Sequence, residues 1–187
     1  MVGGLAIRDA TVDDAGVVGE IHVRAHRFAY RGVAPDAYLD ALDPGRRGNE
    51  WRWYLVAPPP ALRLWIAERD GSAIGFCGVE APSPEEAAAL PERTAVLRWI
   101  HLRPEHVGTG AGRRLMAHAV AAMRAEGYRH AVLWVLAGNA RARRFYAAAG
   151  WAHDGVSRPR AFRAGARELT VEELRYARSL ADPGPVP

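Results

Sequence analysis

The sequence predicts an α/β (α+β) domain in which a sheet of six to seven strands is flanked by about four helices. Three observations carry this. Two apolar segments, residues 62–69 and 72–80, flank the dipeptide Asp70-Gly71, the signature of a β-hairpin. A strand-like run at 94–103 leads through a glycine-rich turn and a helix-periodic segment into a second apolar run at 131–137, which makes a strand-helix-strand unit. Segments of strand character and of helical character also alternate from about residue 5 to residue 178, in a chain of 187 residues that is long enough to bury a full core.

In chain order, residues 5–8 read as a short strand. Thr11, Asp13 and Asp14 open a helix, because a hydroxyl cap and early carboxylates satisfy free N–H groups and the helix dipole; Val17, Val18, Ile21, Ala25 and Phe28 then recur at helical spacing. The stretch from Tyr30 through Gly32 to Pro35 breaks that helix. A second short one, around residues 36–42, carries Tyr38, Leu39 and Leu42 and is ended by Pro44-Gly45. Trp51, Trp53 and the turn Pro58-Pro59-Pro60 precede the hairpin. Residues 81–93, rich in Pro, Glu and Ala, form a surface loop with one helical turn, and the fourth strand ends at Pro104. Leu115, Ala119, Ala122 and Met123 mark one face of a helix that stops near Gly127. The continuous apolar run at 131–137, rich in Val, Leu and Trp, is a buried strand, and residues 139–149 form a helix closed by Gly150. Residues 151–156 and 168–176 supply the last strands. Residues 1–4 are expected to be a flexible N-terminus, 5–178 the domain, and 179–187, with its prolines, a disordered tail.

Composition narrows the function. No apolar run reaches the ~18 residues that a membrane span needs, and Met1-Val2-Gly3-Gly4 lacks the basic and apolar regions of a signal peptide, so a cytoplasmic protein with no membrane partner is expected. Cys77 is the only cysteine; no internal disulfide can form, and its strand-like surroundings predict a buried thiol. All 25 basic residues are arginine and the net charge is +4. Composition alone favours codon bias as the cause, the other reading being a surface that attracts phosphate-bearing ligands or nucleic acid. Arg113, Arg114, Arg141, Arg143 and Arg144 do gather around the motifs described next, where guanidinium groups can pair with phosphate.

The informative stretch is residues 102–116, where a strand runs through glycines 108, 110 and 112 directly into an amphipathic helix. Glycines let backbone N–H groups converge without Cβ obstruction, and the helix N-terminus adds partial positive charge, so the order of parts builds an anion site for a diphosphate; a plain glycine-rich turn remains the alternative. The nucleotide-triphosphate loop is excluded, since it needs Gly-Lys-Ser/Thr and Gly112 is followed by Arg113-Arg114 in a chain without lysine. The dinucleotide fingerprint needs glycine where Arg113 stands.

Gly110-Ala111-Gly112 resembles the coenzyme A loop of the GNAT acetyltransferase family, of the form Gln/Arg-x-x-Gly-x-Gly/Ala. The similarity continues downstream through the strand leading to Asn139, then Phe145-Tyr146, then Gly150-Trp151, and extends more weakly over residues 5–178. The resemblance implies a mixed, mostly antiparallel twisted sheet that splays between its fourth and fifth strands, with acetyl-CoA as cosubstrate and its pantetheine arm lying in the gap. It further implies that backbone near residues 100–103 hydrogen-bonds that arm, that the Leu102 N–H polarises the thioester carbonyl, and that N–H groups of Val107, Gly108, Thr109, Gly110, Ala111, Gly112 and Arg113 hold the pyrophosphate. Val107 stands where the family usually has Gln or Arg.

By the same resemblance Asn139 binds the pantetheine, although an N-cap role alone would also explain it. Tyr146 would protonate the departing thiolate, the other reading being a half-buried tyrosine whose hydroxyl finds a partner. The strand glutamate that many relatives use as base falls at Val96, and no carboxylate lies in residues 94–103. Glu80 and His101 are the nearest candidates for taking the amine proton, each with a structural role as the alternative. The remaining histidines form no metal spacing, even with His22 and His26 four apart, so no metal is expected. Trp51, Trp53, Tyr30 and Tyr38 are core residues or acceptor-pocket walls. The implied function is N-acetyltransfer from acetyl-CoA to a primary amine, on a small molecule or a peptide, by direct attack in a ternary complex. A non-catalytic acetyl-CoA-binding sensor and an acetyltransferase acting on aminoacyl-tRNA are the alternatives, although nucleic acid is not the expected partner. A homodimer is common in the family.

Overall fold

The computed structural model describes residues 4–164 and 167–181. The elements are β1 (Leu5–Asp9), α1 (Ala15–Tyr30), α2 (Asp36–Asp40), α3 (Pro44–Val56), β2 (Arg63–Arg69), β3 (Ser72–Glu80), α4 (Pro84–Ala87), β4 (Thr94–Leu102), α5 (Ala111–Ala125), β5 (His130–Leu136), α6 (Ala140–Ala148), β6 (Ala152–Ala164) and β7 (Arg167–Ser179). Single 3-10 turns at Val12–Asp14 and Pro104–His106 precede α1 and α5. The strands form one sheet in the order β1-β2-β3-β4-β5-β7-β6, and every neighbouring pair is antiparallel except β4 and β5.

That parallel pair is short. Thr94, Ala95 and Val96 pair with His130, Ala131 and Val132, and beyond them the two strands part, which is the splay expected between the fourth and fifth strands. A bulge helps turn β4 away: Gly78 faces Trp99 and Val79 faces Leu97, leaving Arg98 as the extra residue. Gly75 lets the end of β4 lie close to β3, since a Cβ there would fall 2.6 Å from the His101 carbonyl oxygen.

Both faces of the sheet are covered. Leu115, Ala119 and Met123 of α5 pack on Ala95, Leu97, Ala131 and Leu133, while Val18 and Ile21 of α1 and Trp51 of α3 pack on Leu64, Ile66 and Phe76. A smaller cluster of Ala34, Leu39, Leu136 and Phe162 closes the far end. The helices α1 and α3 cross glycine on glycine, and a Cβ on Gly19 would lie 2.4 Å from the Gly48 nitrogen.

Three expectations need correction. Pro44-Gly45 begins a helix and does not merely end one: Asp43 caps α3, its carboxylate accepting from the Arg46 N–H at 2.6 Å, and proline is tolerated in a first turn whose N–H groups have no helical acceptor. With the turn α4, this gives six helical elements where about four were expected. The last two strands are longer than the apolar segments suggested, because β6 is the sheet's edge and admits Pro159 and the arginine-rich 157–163 stretch. At the C-terminal end, β7 runs to Ser179 and Leu180 is buried, its N–H donating to the Arg129 carbonyl at 2.8 Å, so packed chain continues past residue 178. The expectations for residues 1–3 and 182–187 lie outside the described residues. Among the described residues no helix is long and apolar enough to cross a membrane.

Candidate active site

The splay opens a cavity of about 280 Å³ between the end of β4 and the start of α6. The β4 side supplies backbone. Arg103 N–H donates to the Ile74 carbonyl at 2.8 Å, and Leu102 and His101 stand opposite Gly75 and Phe76. Alternation along an antiparallel ladder then points the polar backbone groups of His101 at β3 and those of Ile100 and Leu102 into the cleft.

The glycine turn forms one end of the cavity. Gly108 and Gly110 have φ of 85° and 87°, the left-handed region that glycine adopts without steric cost, and Gly110 is the N-cap of α5. The Val107 N–H donates to the Pro104 carbonyl at 3.2 Å and the Thr109 N–H reaches the His106 carbonyl at 3.5 Å, so neither is available for an anion. Among the described residues, the N–H groups of Gly108, Gly110, Ala111, Gly112 and Arg113 have no recorded acceptor, as expected of a first helical turn. Val107, Gly108, Gly110, Gly112 and Arg113 line the cavity; Thr109 and Ala111 do not, the Thr109 hydroxyl bonding back to His106 and Ala111 being buried in the core. Arg141 also lines it, stacked 4.1 Å over the Phe28 ring, whereas Arg143 braces the Tyr176 hydroxyl and the Ala137 carbonyl.

Asn139 is buried, lines the cavity and caps α6: its Oδ1 accepts from the Ala142 N–H at 3.1 Å, which leaves the side-chain NH2 as its free donor. Tyr146, two turns on, packs beside Phe145 and Tyr176. Its hydroxyl has no protein hydrogen bond among the described residues, and burial pushes its pKa up, reinforced by Tyr30.

A second cavity, about 330 Å³, lies on the other side of Tyr146. Tyr146, His101, Ile100, Tyr30 and Trp134 line both, so the two spaces meet at these residues. His101 stands beside His22 and His26 of α1, and a nitrogen of each imidazole lies within 4.8 Å of the others. Spacing alone could not show this cluster, because His101 is distant in sequence. Its hydrogen bonds assign the tautomers. Trp51 Nε1–H donates to His22 Nδ1 at 3.1 Å, so the ring proton of neutral His22 sits on Nε2 and no lone pair remains there for a cation. His26 Nδ1 lies 3.0 Å from the His22 carbonyl and must be its protonated nitrogen, which leaves Nε2 as a base. Burial drives all three rings toward the neutral form: His22 and His101 fall far below the ordinary imidazole range, and His26 falls to about 4, with Arg47 and Arg160 adding to the shift.

Glu80, the other candidate base, is not brought to either cavity. Its oxygens are taken by Arg98 and, at 2.5 Å, by the Tyr54 hydroxyl, and Arg98 is held in turn by Glu86. The aromatic residues divide: Trp51 is core, Trp53 is exposed, and Tyr30 and Tyr38 line the second cavity. Sequence reading did not assign Trp134, Arg47, Arg158, Arg160 and Glu173 to that wall. A period-2 placement of Arg158 and Arg160 was the available signal for β6, and the missing apolar alternation hid it.

Residues 23–151 match the model of the Acetyltransferase (GNAT) family. An uncharacterized N-acetyltransferase of Archaeoglobus fulgidus is 32% identical over 145 residues, which cover 76% of this chain and 90% of that protein. Among solved structures, the PaiA N-acetyltransferase of Thermoplasma acidophilum in complex with coenzyme A superposes with a TM-score of 0.70 at 17% identity, over 94% of this chain and 99% of that one. YncA of Salmonella typhimurium, a putative acetyltransferase with its cofactor acetyl-CoA, gives 0.69 at 17% identity over 98% of each chain. The fold, the family match over more than half of the sequence and the archaeal relative agree: the chain belongs to the acetyltransferase (GNAT) family.

Proposed function

We propose that this acetyltransferase moves the acetyl group of acetyl-CoA to a primary amine by direct attack within a ternary complex. The observation that carries the reading is the meeting of two cavities at Tyr146 and His101. The first suits the donor. Free N–H groups at Gly108, Gly110 and 111–113 would take the pyrophosphate, as backbone at a helix N-terminus does, with Arg113 and Arg141 adding positive charge. The open edge of β4 would pair with the amide arm as a neighbouring strand would, the Asn139 NH2 would bond the same arm, and the Leu102 N–H would stabilise the thioester oxyanion. Val107 and Thr109 then shape the loop without donating. That PaiA and YncA, which share this fold, carry coenzyme A and acetyl-CoA supports this assignment.

In the step itself the amine nitrogen bonds to the acetyl carbon and the carbon–sulfur bond breaks. Tyr146, kept protonated by its raised pKa, gives its proton to the thiolate; His101, uncharged because burial lowers its pKa, would accept the proton of the attacking amine only in passing and hand it on, with His26 beside it. Holding both reactants in one cleft supplies rate through proximity. No acyl-enzyme on cysteine is needed, since Cys77 is fully buried and burial pushes its thiol pKa up. Neither alternative draws support from the site: the second cavity gives an acceptor direct access to Tyr146, and arginines such as Arg8, Arg63 and Arg163 are tied to carboxylates. Initial velocities of thiol release, with acetyl-CoA and acceptor both varied, test the mechanism. A ternary complex gives intersecting double-reciprocal lines; parallel lines would mean a covalent acetyl-enzyme and refute it.

A further inference from the structure

The second cavity has a charge pattern that bears on its occupant. Its wall presents the guanidinium groups of Arg47, Arg98, Arg158 and Arg160 against one carboxylate, Glu173. Three of the four are paired with carboxylates: Arg98 with Glu80 and Glu86, Arg158 with Glu173 at 2.9 Å, and Arg47 with Glu50 at 2.7 Å; Arg158 also stacks 4.0 Å over Trp134, and Arg160 lies 5.9 Å over the Phe162 ring, a contact that leaves its N–H groups unused. Arg160, one β-period along from Arg158 on the same face of β6, has no carboxylate partner and no hydrogen bond among the described residues. It lies near enough to His26 and Tyr30 for its charge to act on both. Positive charge at that end of the cavity disfavours an ammonium ion and favours the neutral, nucleophilic amine. It also leaves a guanidinium fork free for an anion.

We infer that the acceptor is a small amino-carboxylate, an amine that carries its own carboxylate close by, with Arg160 binding the carboxylate while the amine faces His101 and Tyr146. The inference rests on the acetyltransfer reading. It separates a free amino acid from a peptide N-terminus, where the carboxylate is replaced by an amide and Arg160 would have nothing to bind. A cavity of about 330 Å³, at the low end of ordinary ligand pockets, suits a molecule of that size.

The test is acetyl-CoA-dependent thiol release with a panel of L-amino acids, aliphatic, aromatic and acidic, each beside its carboxamide and its decarboxylated amine. The carboxamide amine is the less basic and so more available chemically, which makes any preference for the acid a matter of recognition. The expected kcat/KM is roughly 10- to 100-fold higher for at least one acid than for its carboxamide, the weight of one charge-assisted hydrogen bond. Arg160→Gln should collapse that ratio toward one and Arg160→Lys should restore part of it. Arg160 is exposed on an edge strand, so both variants should fold, and unchanged melting temperatures check this. Carboxamides or plain amines used as well as the acids, or a ratio indifferent to Arg160→Gln, would overturn the inference. So would a protein that is stabilised by acetyl-CoA yet transfers to no acid in the panel, and that result would leave donor binding standing. Absence of any stabilisation by acetyl-CoA would instead overturn the acetyltransfer reading, and this inference with it.

Discussion

Tyr146→Phe removes one oxygen atom and leaves the ring in place. The hydroxyl has no hydrogen-bond partner among the described residues, so its loss orphans no buried group, and the ring's packing against Phe145 and Tyr176 is kept. The cost to the fold should therefore stay near the ~0.5 kcal/mol of a substitution outside any network, about 1 to 2 °C in melting temperature for a chain of this size. The cost to the reaction is set by a different quantity. If the hydroxyl supplies the proton that the thiolate takes, removing a positioned acid lowers turnover by about 10²- to 10⁴-fold, or roughly 3 to 5 kcal/mol in the barrier. Fold and rate are thus separated by several kcal/mol, which makes the experiment decisive. Thiol release at saturating acceptor gives kcat, and the acetyl-CoA-induced rise in melting temperature gives donor binding in the same variant. The expected result is a collapse of kcat with that rise intact. A donor with a more acidic thiol, which needs protonation less, should narrow the deficit. Turnover within threefold of the wild type would remove Tyr146 from the mechanism, and a rate loss matched by lost donor binding would make it a positioning residue only.

Two further outcomes follow from the helical layer. The three clustered histidines are held neutral in the fold, His26 titrating at about 4 and His22 and His101 also pushed well below the ordinary range by burial, while unfolded imidazoles titrate near 6.5. Between those values the unfolded chain binds more protons, so stability is complete above ~6.5 and is lost as pH falls toward ~4. Arg47 and Arg160 share the positive field on this cluster. Melting temperature should fall less steeply below pH 6.5 in His26→Asn than in the wild type; identical slopes would mean that His26 is not held neutral. Gly19→Ala would drive a methyl group into the Gly48 backbone, separating α1 from α3 at a cost of ~1 to 3 kcal/mol, about 2 to 12 °C. A variant that melts like the wild type would show that the crossing is looser than described.

Legibility in the sequence followed the range of the interactions. The glycine turn, the strand entering it and the helix bearing Tyr146 are local: each is specified by a few consecutive residues, and the resemblance to GNAT enzymes was carried by those segments. The splay was implied by that resemblance and appears as three paired positions, Thr94, Ala95 and Val96. The start of α3 was missed because Pro-Gly breaks a helix in one context and opens one in another, and only the Asp43 cap decides which. The histidine cluster depends on β4 passing beneath α1, a tertiary fact with no local trace. Glu80 looked available because nothing nearby in sequence announced Arg98, reached by a bulge, or Tyr54, supplied by the unrecognised helix. The Val107 N–H, counted among the phosphate donors, is consumed by a 3-10 turn that Pro104 begins.

The central claim is that the splayed cleft and its glycine turn hold acetyl-CoA, and a thermal melt with and without it tests that most directly. At ~100 times Kd a ligand of the native state adds about 2.7 kcal/mol, which is roughly 5 to 10 °C here. A rise of that size is expected in the wild type and its loss in Gly110→Val, where a β-branched side chain is strained at the φ of 87°. No shift at millimolar acetyl-CoA, or an equal shift in the variant, would contradict it.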